Sequence, residues 1–231
     1  MKRAEKAIIK KDIRGITSNR RLFSALWIVP LALTVILPSI FVCAAHFAPD
    51  DPDVLALLEL LPGAANTESV ELAIAGIIFN YILPAFFLMI PIMTASVMAA
   101  SAFVGEKEKH TLETHLYCPL SVKEIFRAKV LASFLLSMLV SLVSFAAMLT
   151  VLELEAVFLM GSPLLPGGGW VIVLFLLSPA VSLIAVTLIV RNSARAQSVE
   201  ESQQSAVFLI IPVILLVVGQ FAGVMILNVW I

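Results

Sequence analysis

The residues best suited to chemistry lie in one stretch, 105–129, with the sequence GEKEKHTLETHLYCPLSVKEIFRAK. Charges of opposite sign alternate over 106–109, and Leu112 and Leu116 lie one helical turn apart. Such a surface could recognise a partner through ion pairs and apolar contacts. A solvated, charge-alternating helix end would explain 106–109 alone, but the residues that follow favour recognition.

Catalytic and metal-binding patterns are missing from the sequence. It contains no G-x-x-x-x-G-K-[ST], no H-E-x-x-H and no G-x-S-x-G, and its His, Cys and carboxylate residues show no metal-site spacing. We expect His110 and His115 to be tolerated surface residues rather than ligands or pH switches. The sequence therefore predicts no enzyme activity, no catalytic or metal site and no cofactor bound by this chain.

Local signals predict a rigid elbow around this stretch. Cys118 precedes a proline, where helix is disfavoured, so a helix break is expected there. Ser121 and Glu124 have the spacing of a capping box, which predicts that the next helix begins at Ser121. Residues 105–120 are therefore expected to form a short helix and turn between two longer helices.

The composition places these helices in a membrane. Of 231 residues, 61% are hydrophobic and 13% charged, and the mean hydropathy is +1.05. A span of about 30 Å of hydrocarbon needs roughly 20 apolar residues, and continuous apolar runs favour helices over barrel strands. Five runs without Asp, Glu, Lys or Arg meet that length: 22–49, 72–105, 130–152, 156–190 and 202–231.

The predicted fold is all-α and polytopic. An N-terminal amphipathic helix (1–21) precedes a transmembrane domain (22–231) of five spans, or of a set of six from which one is missing. The expected spans are 23–47, 72–104, 127–150, 170–190 and 206–231.

Basic residues predict the orientation of the spans. All 15 Lys and Arg residues lie in three segments, 2–21, 107–129 and 191–195, whereas the loops 50–71 and 153–169 hold none and carry eight acidic residues. The positive-inside rule places the N-terminus and the elbow in the cytoplasm. These basic residues need no nucleic acid to explain them.

Three smaller features complete the prediction. Ile9, Ile13 and Ile16 share one face of the N-terminal helix, which predicts that it lies along the membrane interface; a solvated tail is the alternative. The third span carries serines at 133, 137, 141 and 144, which could line a solute path but are expected mainly to pack against another helix. Trp170 is expected to anchor the fourth span at the interface.

The elbow resembles a known family. The residues that carry the resemblance are Glu106-Lys-Glu108, Thr111-Leu-Glu113, Pro119-Leu-Ser121, Glu124 and Lys129. They are similar to the cytoplasmic signature of ABC-2 type transporter permeases, although His110 stands where that family often has Gly and His115 where it usually has Leu.

The resemblance implies a coupling helix that docks on a separate ATPase. The implied interface residues are Glu106, Glu108, Thr111, Leu112, Glu113, Leu116, Pro119 and Ser121. It further implies a working unit of two ATP-binding cassette (ABC) ATPase subunits and two permease halves, as a homo- or heterodimer, with ATP bound by the partner. The setting would be a bacterial or archaeal cytoplasmic membrane, in contact with membrane lipid.

Two other classes remain open beside this exporter. A secondary transporter or channel would normally show ionisable residues inside the bilayer, whereas the predicted spans offer Asn80, Gln220, Asn228 and serines. A non-transporting scaffold is the third class. If the chain is an exporter subunit, its weakly polar spans favour an amphipathic or hydrophobic substrate such as a peptide, lipid or drug.

Overall fold

The structure is a computed structural model that describes residues 3–47, 70–108, 121–204, 206–208, 210–215 and 219. Within these residues every regular element is helical. The helices are α1 (Arg3–Ser18), α2 (Arg20–Phe47), α3 (Val70–Ile77), α4 (Leu83–Phe87), α5 (Met89–Glu108), α6 (Val122–Glu155), α7 (Gly169–Ile172), α8 (Ser178–Ser193) and α9 (Val199–Gln204). Three π-helical segments interrupt this order, at Ile78–Ile82, Ala156–Met160 and Val173–Leu177.

Four helical segments are long and apolar enough to cross a membrane. Span 1 is Leu22–Ala44, span 2 is Glu71–Glu108, span 3 is Val122–Met160 and span 4 is Gly169–Ser193. The predicted all-α polytopic fold is therefore confirmed. The predicted fifth span, 206–231, lies largely outside the described residues.

Helix starts follow from capping side chains. Asn19 separates α1 from α2, and its Oδ1 accepts a hydrogen bond from the backbone N–H of Leu22 at 3.5 Å. Ser121 caps span 3: its Oγ accepts from the N–H of Glu124, and the Glu124 carboxylate accepts from the N–H of Ser121 at 3.0 Å. The predicted capping box is confirmed.

Two of the π-helical segments precede a proline at the same spacing. Pro84 and Pro179 each stand at the second residue after such a segment. A proline ring clashes with the carbonyl four residues earlier and supplies no N–H. Those carbonyls belong to Asn80 and Phe175, which both lie inside the π-helical turns, where the widened backbone accommodates the clash.

Span 2 lies at the centre of the bundle. In its most apolar window 67% of residues are buried, against 28% to 39% in the other three spans. Spans 3 and 4 pack along it, whereas span 1 and α1 pack mainly on span 3. The serines of span 3 are buried, and the Oγ atoms of Ser137 and Ser182 are 2.5 Å apart, so their predicted packing role is confirmed.

An aromatic cluster fixes the beginning of span 4. Trp170 is buried, with its ring centroid 5.4 Å from Phe79, 5.6 Å from Phe87 and 5.0 Å from Phe145. Its Nε1–H donates to the carbonyl of Phe79 at 3.2 Å. The prediction that Trp170 anchors the membrane interface is therefore wrong, because its indole fills the core between spans 2, 3 and 4.

Candidate functional site

The predicted elbow begins in the last turn of span 2, which carries three consecutive charged residues, Glu106, Lys107 and Glu108. We call this region the basic end; it also contains α1, the first turns of span 3 and the loop 194–198. Each of the three side chains contacts a different part of this surrounding structure.

Glu106 forms an ion triad with two lysines, of which Lys129 is buried and Lys11 is exposed. Its Oε1 is 2.8 Å from Nζ of Lys11 on α1, and its Oε2 is 2.5 Å from Nζ of Lys129 on span 3. Glu106 is only 8% exposed and Lys129 only 3%. The Lys129 ammonium also donates to the carbonyl of Ala102, one helical turn before Glu106.

Burial makes the Glu106–Lys129 pair a strong constraint on the fold. Removing one partner of such a pair leaves an uncompensated charge, at a cost of about 3–5 kcal/mol. The Lys11 side chain is 55% exposed, so its contact with Glu106 contributes under about 1 kcal/mol. Span 2 is therefore held firmly to span 3 and more weakly to α1.

Lys107 contacts the C-terminal end of span 4, and Glu108 contacts the beginning of α9. Nζ of Lys107 donates to the carbonyls of Ala194 at 3.3 Å and Ala196 at 2.9 Å, just after span 4 ends. A cation is favourable beside the unpaired carbonyls of a helix C-terminus. The carboxylate of Glu108 accepts from the N–H of Val199, the first residue of α9, at 3.4 Å.

The family of the chain follows from its sequence match. A family model of the ABC-2 family transporter protein matches residues 65–230, which is more than half of the chain and includes the whole elbow. The chain belongs to the ABC-2 transporter family. No curated protein and no solved structure gave a significant match.

Membership defines the chain as a membrane permease component of an ABC transporter. ABC-2 permeases are transport components, generally without enzyme activity of their own, and associate with an ABC ATPase and the membrane. The match begins after α1 and span 1, so the Lys11–Glu106 contact joins the matched ABC-2 region to the helix that precedes it.

Of the eight residues predicted for the ATPase interface, the structure describes three. Glu106 faces inward to the two lysines, Glu108 is exposed beside α9, and Ser121 is exposed at the cap of span 3. The other five lie outside the described residues: Thr111, Leu112, Glu113, Leu116 and Pro119. Both elbow histidines, His110 and His115, also lie outside them. The described elbow residues of this ABC-2 permease thus flank the predicted docking segment on both sides.

Sequence reasoning missed the partners of the elbow. The resemblance places Lys129 in the family signature but does not pair it with Glu106. A signal existed, because a lysine at the start of a long apolar run needs a nearby anion, and Glu106 ends the preceding span. The roles of Lys11 and of the loop 194–198 left no local signal in the sequence.

Among the described residues of this ABC-2 permease, no group of three His, Cys, Asp or Glu side chains could hold a metal ion. The described side chains of the basic end form ion pairs and helix caps, which fix positions.

Proposed function

We propose that this chain is the transmembrane subunit of an ATP-driven exporter, in which segment 109–120 docks on a separate ATPase in the cytoplasm. In the working unit, two such ATPases act on two permease halves. ATP is bound and hydrolysed by the partner, and this chain carries the resulting movement into the membrane.

The observation that supports this proposal is the anchoring of both ends of segment 109–120. It follows a helix end fixed by Glu106, Lys107 and Glu108, and it precedes the Ser121 cap of span 3. The buried Glu106–Lys129 pair links the two spans directly. A force on the segment would therefore act on spans 2 and 3 together, whereas a loosely attached loop would absorb it.

Within this proposal the signature residues have two different roles. Glu106 is a positioning residue, because its carboxylate lies inside the fold. Glu108, Thr111, Leu112, Glu113 and Leu116 contact the ATPase, while Pro119 and Ser121 shape the turn back to span 3.

Charge and surface chemistry extend the proposal to location and cargo. The positive-inside rule favours a cytoplasmic N-terminus and basic end, in the cytoplasmic membrane of a bacterium or archaeon. Large apolar side chains cover the outside of the spans, including Leu142, Phe175 and Leu176. Apart from these lipid-facing side chains, the spans offer mainly serines and other weakly polar groups, which favour a hydrophobic or amphipathic substrate such as a lipid, peptide or drug.

Co-purification tests the docking assignment. From cells of the source organism, the tagged chain is expected to recover an ABC ATPase. Glu113→Lys and Leu112→Asp are each expected to lower that recovery about tenfold or more, because they place a like charge or a desolvated carboxylate in the contact. The measurement is the ATPase recovered per permease, together with its ATP hydrolysis.

Glu59→Lys is the matched control, since it makes the same charge change in the acidic segment predicted to lie on the opposite side of the membrane. The docking assignment is wrong if Glu113→Lys and Leu112→Asp both leave ATPase recovery and ATP hydrolysis at the level of Glu59→Lys.

A further inference from the structure

A groove of about 430 Å³ lies between α1 and span 3. Its rim is formed by Lys6, Lys10, Arg14 and Thr17 of α1. Its apolar floor is formed by Ile9 and Ile13 of α1 with Leu135 of span 3. The groove therefore combines a cationic edge with an apolar base, and none of its lining residues belongs to the segment proposed to meet the ATPase.

The three cations form a single row. Lys6, Lys10 and Arg14 are spaced by four residues, so they lie above one another on one face of α1. All three are exposed, and within the described part of the chain none of them forms an ion pair. Like charges at this spacing repel one another, and an anion between them would relieve that repulsion.

The apolar side of α1 determines how the row is oriented. Ile8 and Ile9 are buried against Ala128 and Ala132 of span 3. The helix is therefore pressed flat against the first turns of a membrane span, and its row of cations lies along the edge of that contact. For a chain inserted with its basic end toward the cytoplasm, the start of a span is the level at which lipid headgroups are expected to meet the hydrocarbon.

Below the cations, span 3 continues the apolar floor as a stripe. Leu135, Leu139 and Leu142 are 46%, 50% and 58% exposed and lie on one helical face. From Leu135 to Leu142 the helix rises by roughly 10 Å, most of the depth of one hydrocarbon leaflet of about 15 Å.

We infer that this groove binds an anionic phospholipid, with the phosphate held by Lys6, Lys10 and Arg14 and an acyl chain along Leu135, Leu139 and Leu142. Lysine and arginine supply the charge-assisted donors that phosphate oxygens accept. A zwitterionic lipid would bring its own cation to the row, and a soluble phosphate would leave the leucine stripe unused. The site is independent of ATPase docking.

The test is lipid titration of the purified full-length chain in detergent, followed by native mass spectrometry. Phosphatidylglycerol is expected to bind at least tenfold more tightly than phosphatidylcholine, and glycerol 3-phosphate is expected not to compete at equal concentration. The triple change Lys6→Gln, Lys10→Gln and Arg14→Gln is expected to weaken phosphatidylglycerol binding by roughly ten- to a hundredfold.

A charge-matched triple at the same end of the molecule provides the control. Lys123→Gln, Arg127→Gln and Arg195→Gln remove three exposed cations outside the groove, and we expect phosphatidylglycerol binding to be retained. Leu135→Gln tests the acyl part and is expected to weaken binding of the lipid. Leu176→Gln, on the exposed face of span 4, is its control.

Several outcomes would overturn the assignment. Equal loss of lipid in both triples would indicate diffuse attraction to the basic end. Competition by glycerol 3-phosphate would indicate a site for soluble phosphate. If the groove triple bound phosphatidylglycerol normally but lost the ATPase, the row of cations would belong to a protein contact instead.

Discussion

At the scale of single residues, the decisive group is the carboxylate of Glu106. It ends a long apolar helix, and burial would make it costly without its two ammonium partners. The ammonium of Lys129 is also buried, at the start of span 3, and would be costly without an anion. Each charge therefore stabilises the other. The pair is best understood as a geometric constraint between two spans, since an ion pair at this depth gives little net stability relative to a well-packed apolar pair.

We predict that the pair behaves non-additively in a double-mutant cycle. Glu106→Met is expected to destabilise the protein by about 3–5 kcal/mol, because it leaves the buried Lys129 ammonium without a counter-charge. Lys129→Met is expected to cost less, because Glu106 keeps its contact with the half-exposed Lys11. The double change is expected to be less destabilising than either single change. Chemical denaturation in detergent measures the free energy of unfolding.

Glu108→Met is the control for this cycle, since its carboxylate is exposed and its contact with the N–H of Val199 is long, at 3.4 Å. Its loss is expected to cost under about 1 kcal/mol. Additive losses at Glu106 and Lys129 would show that the two side chains do not constrain each other.

At the scale of elements, the start of span 3 depends on a single cap. Ser121 satisfies the amide of Glu124, and Glu124 returns a contact to the amide of Ser121. The cap stands directly after the segment proposed to receive force. It therefore decides whether that force reaches a helix or is lost in a frayed first turn.

Ser121→Ala is expected to loosen this first turn by about 1 kcal/mol. At 25 °C this corresponds to roughly fivefold faster hydrogen exchange of the Glu124 and Ile125 amides, which are hydrogen-bonded to Ser121. Ser121→Asp retains a capping oxygen and serves as the control, with exchange close to the unchanged protein. Unaltered exchange in Ser121→Ala would mean that the cap does not hold this turn.

Elements set by local signals could be predicted from sequence, and those set by tertiary contacts could not. The signal for the Ser121 cap lies within four consecutive residues, and the signal for each span lies within a run of about 20, so both could be predicted. The burial of Trp170 could not be predicted, because it depends on contacts between residues that lie far apart in the sequence, Asn80 with Gly167 and Phe79 with Trp170. Asn80 accepts a hydrogen bond from the N–H of Gly167 at 2.6 Å, which brings the loop back over the bundle before the indole enters the core.

The same limit applies to the candidate site. Glu106 and Lys129 belong to one recognisable signature, but Lys11 lies 95 residues from Glu106 along the chain. Its contact depends on how α1 docks on span 3. The identity of the site residues could be predicted, whereas which of them face inward required the packed bundle.

At the scale of the whole molecule, the distribution of charge predicts its orientation in the membrane. All lysines and arginines lie in three segments, 2–21, 107–129 and 191–195, and the structure brings described residues of all three segments together at the basic end. A bundle with this asymmetry is expected to be inserted with that end toward the cytoplasm.

Cysteine labelling tests this orientation. In a background with Cys43 and Cys118 replaced by Ala, a Cys at position 113 (Glu113→Cys) is expected to react with a membrane-impermeant maleimide only after the cells are permeabilised. Glu59→Cys, in the acidic segment, is the control and should react in intact cells. Labelling of position 113 in intact cells would contradict the orientation and remove the basis for cytoplasmic docking.

The last turn of span 2 has a further mechanical consequence. Successive residues of a helix project about 100° apart, so Glu106, Lys107 and Glu108 point toward different sectors around the axis. Each is held by a different neighbour: span 3 with α1, the end of span 4, and α9. Twisting this helix end about its own axis would break all three attachments at once, whereas tilting it together with those neighbours would break none.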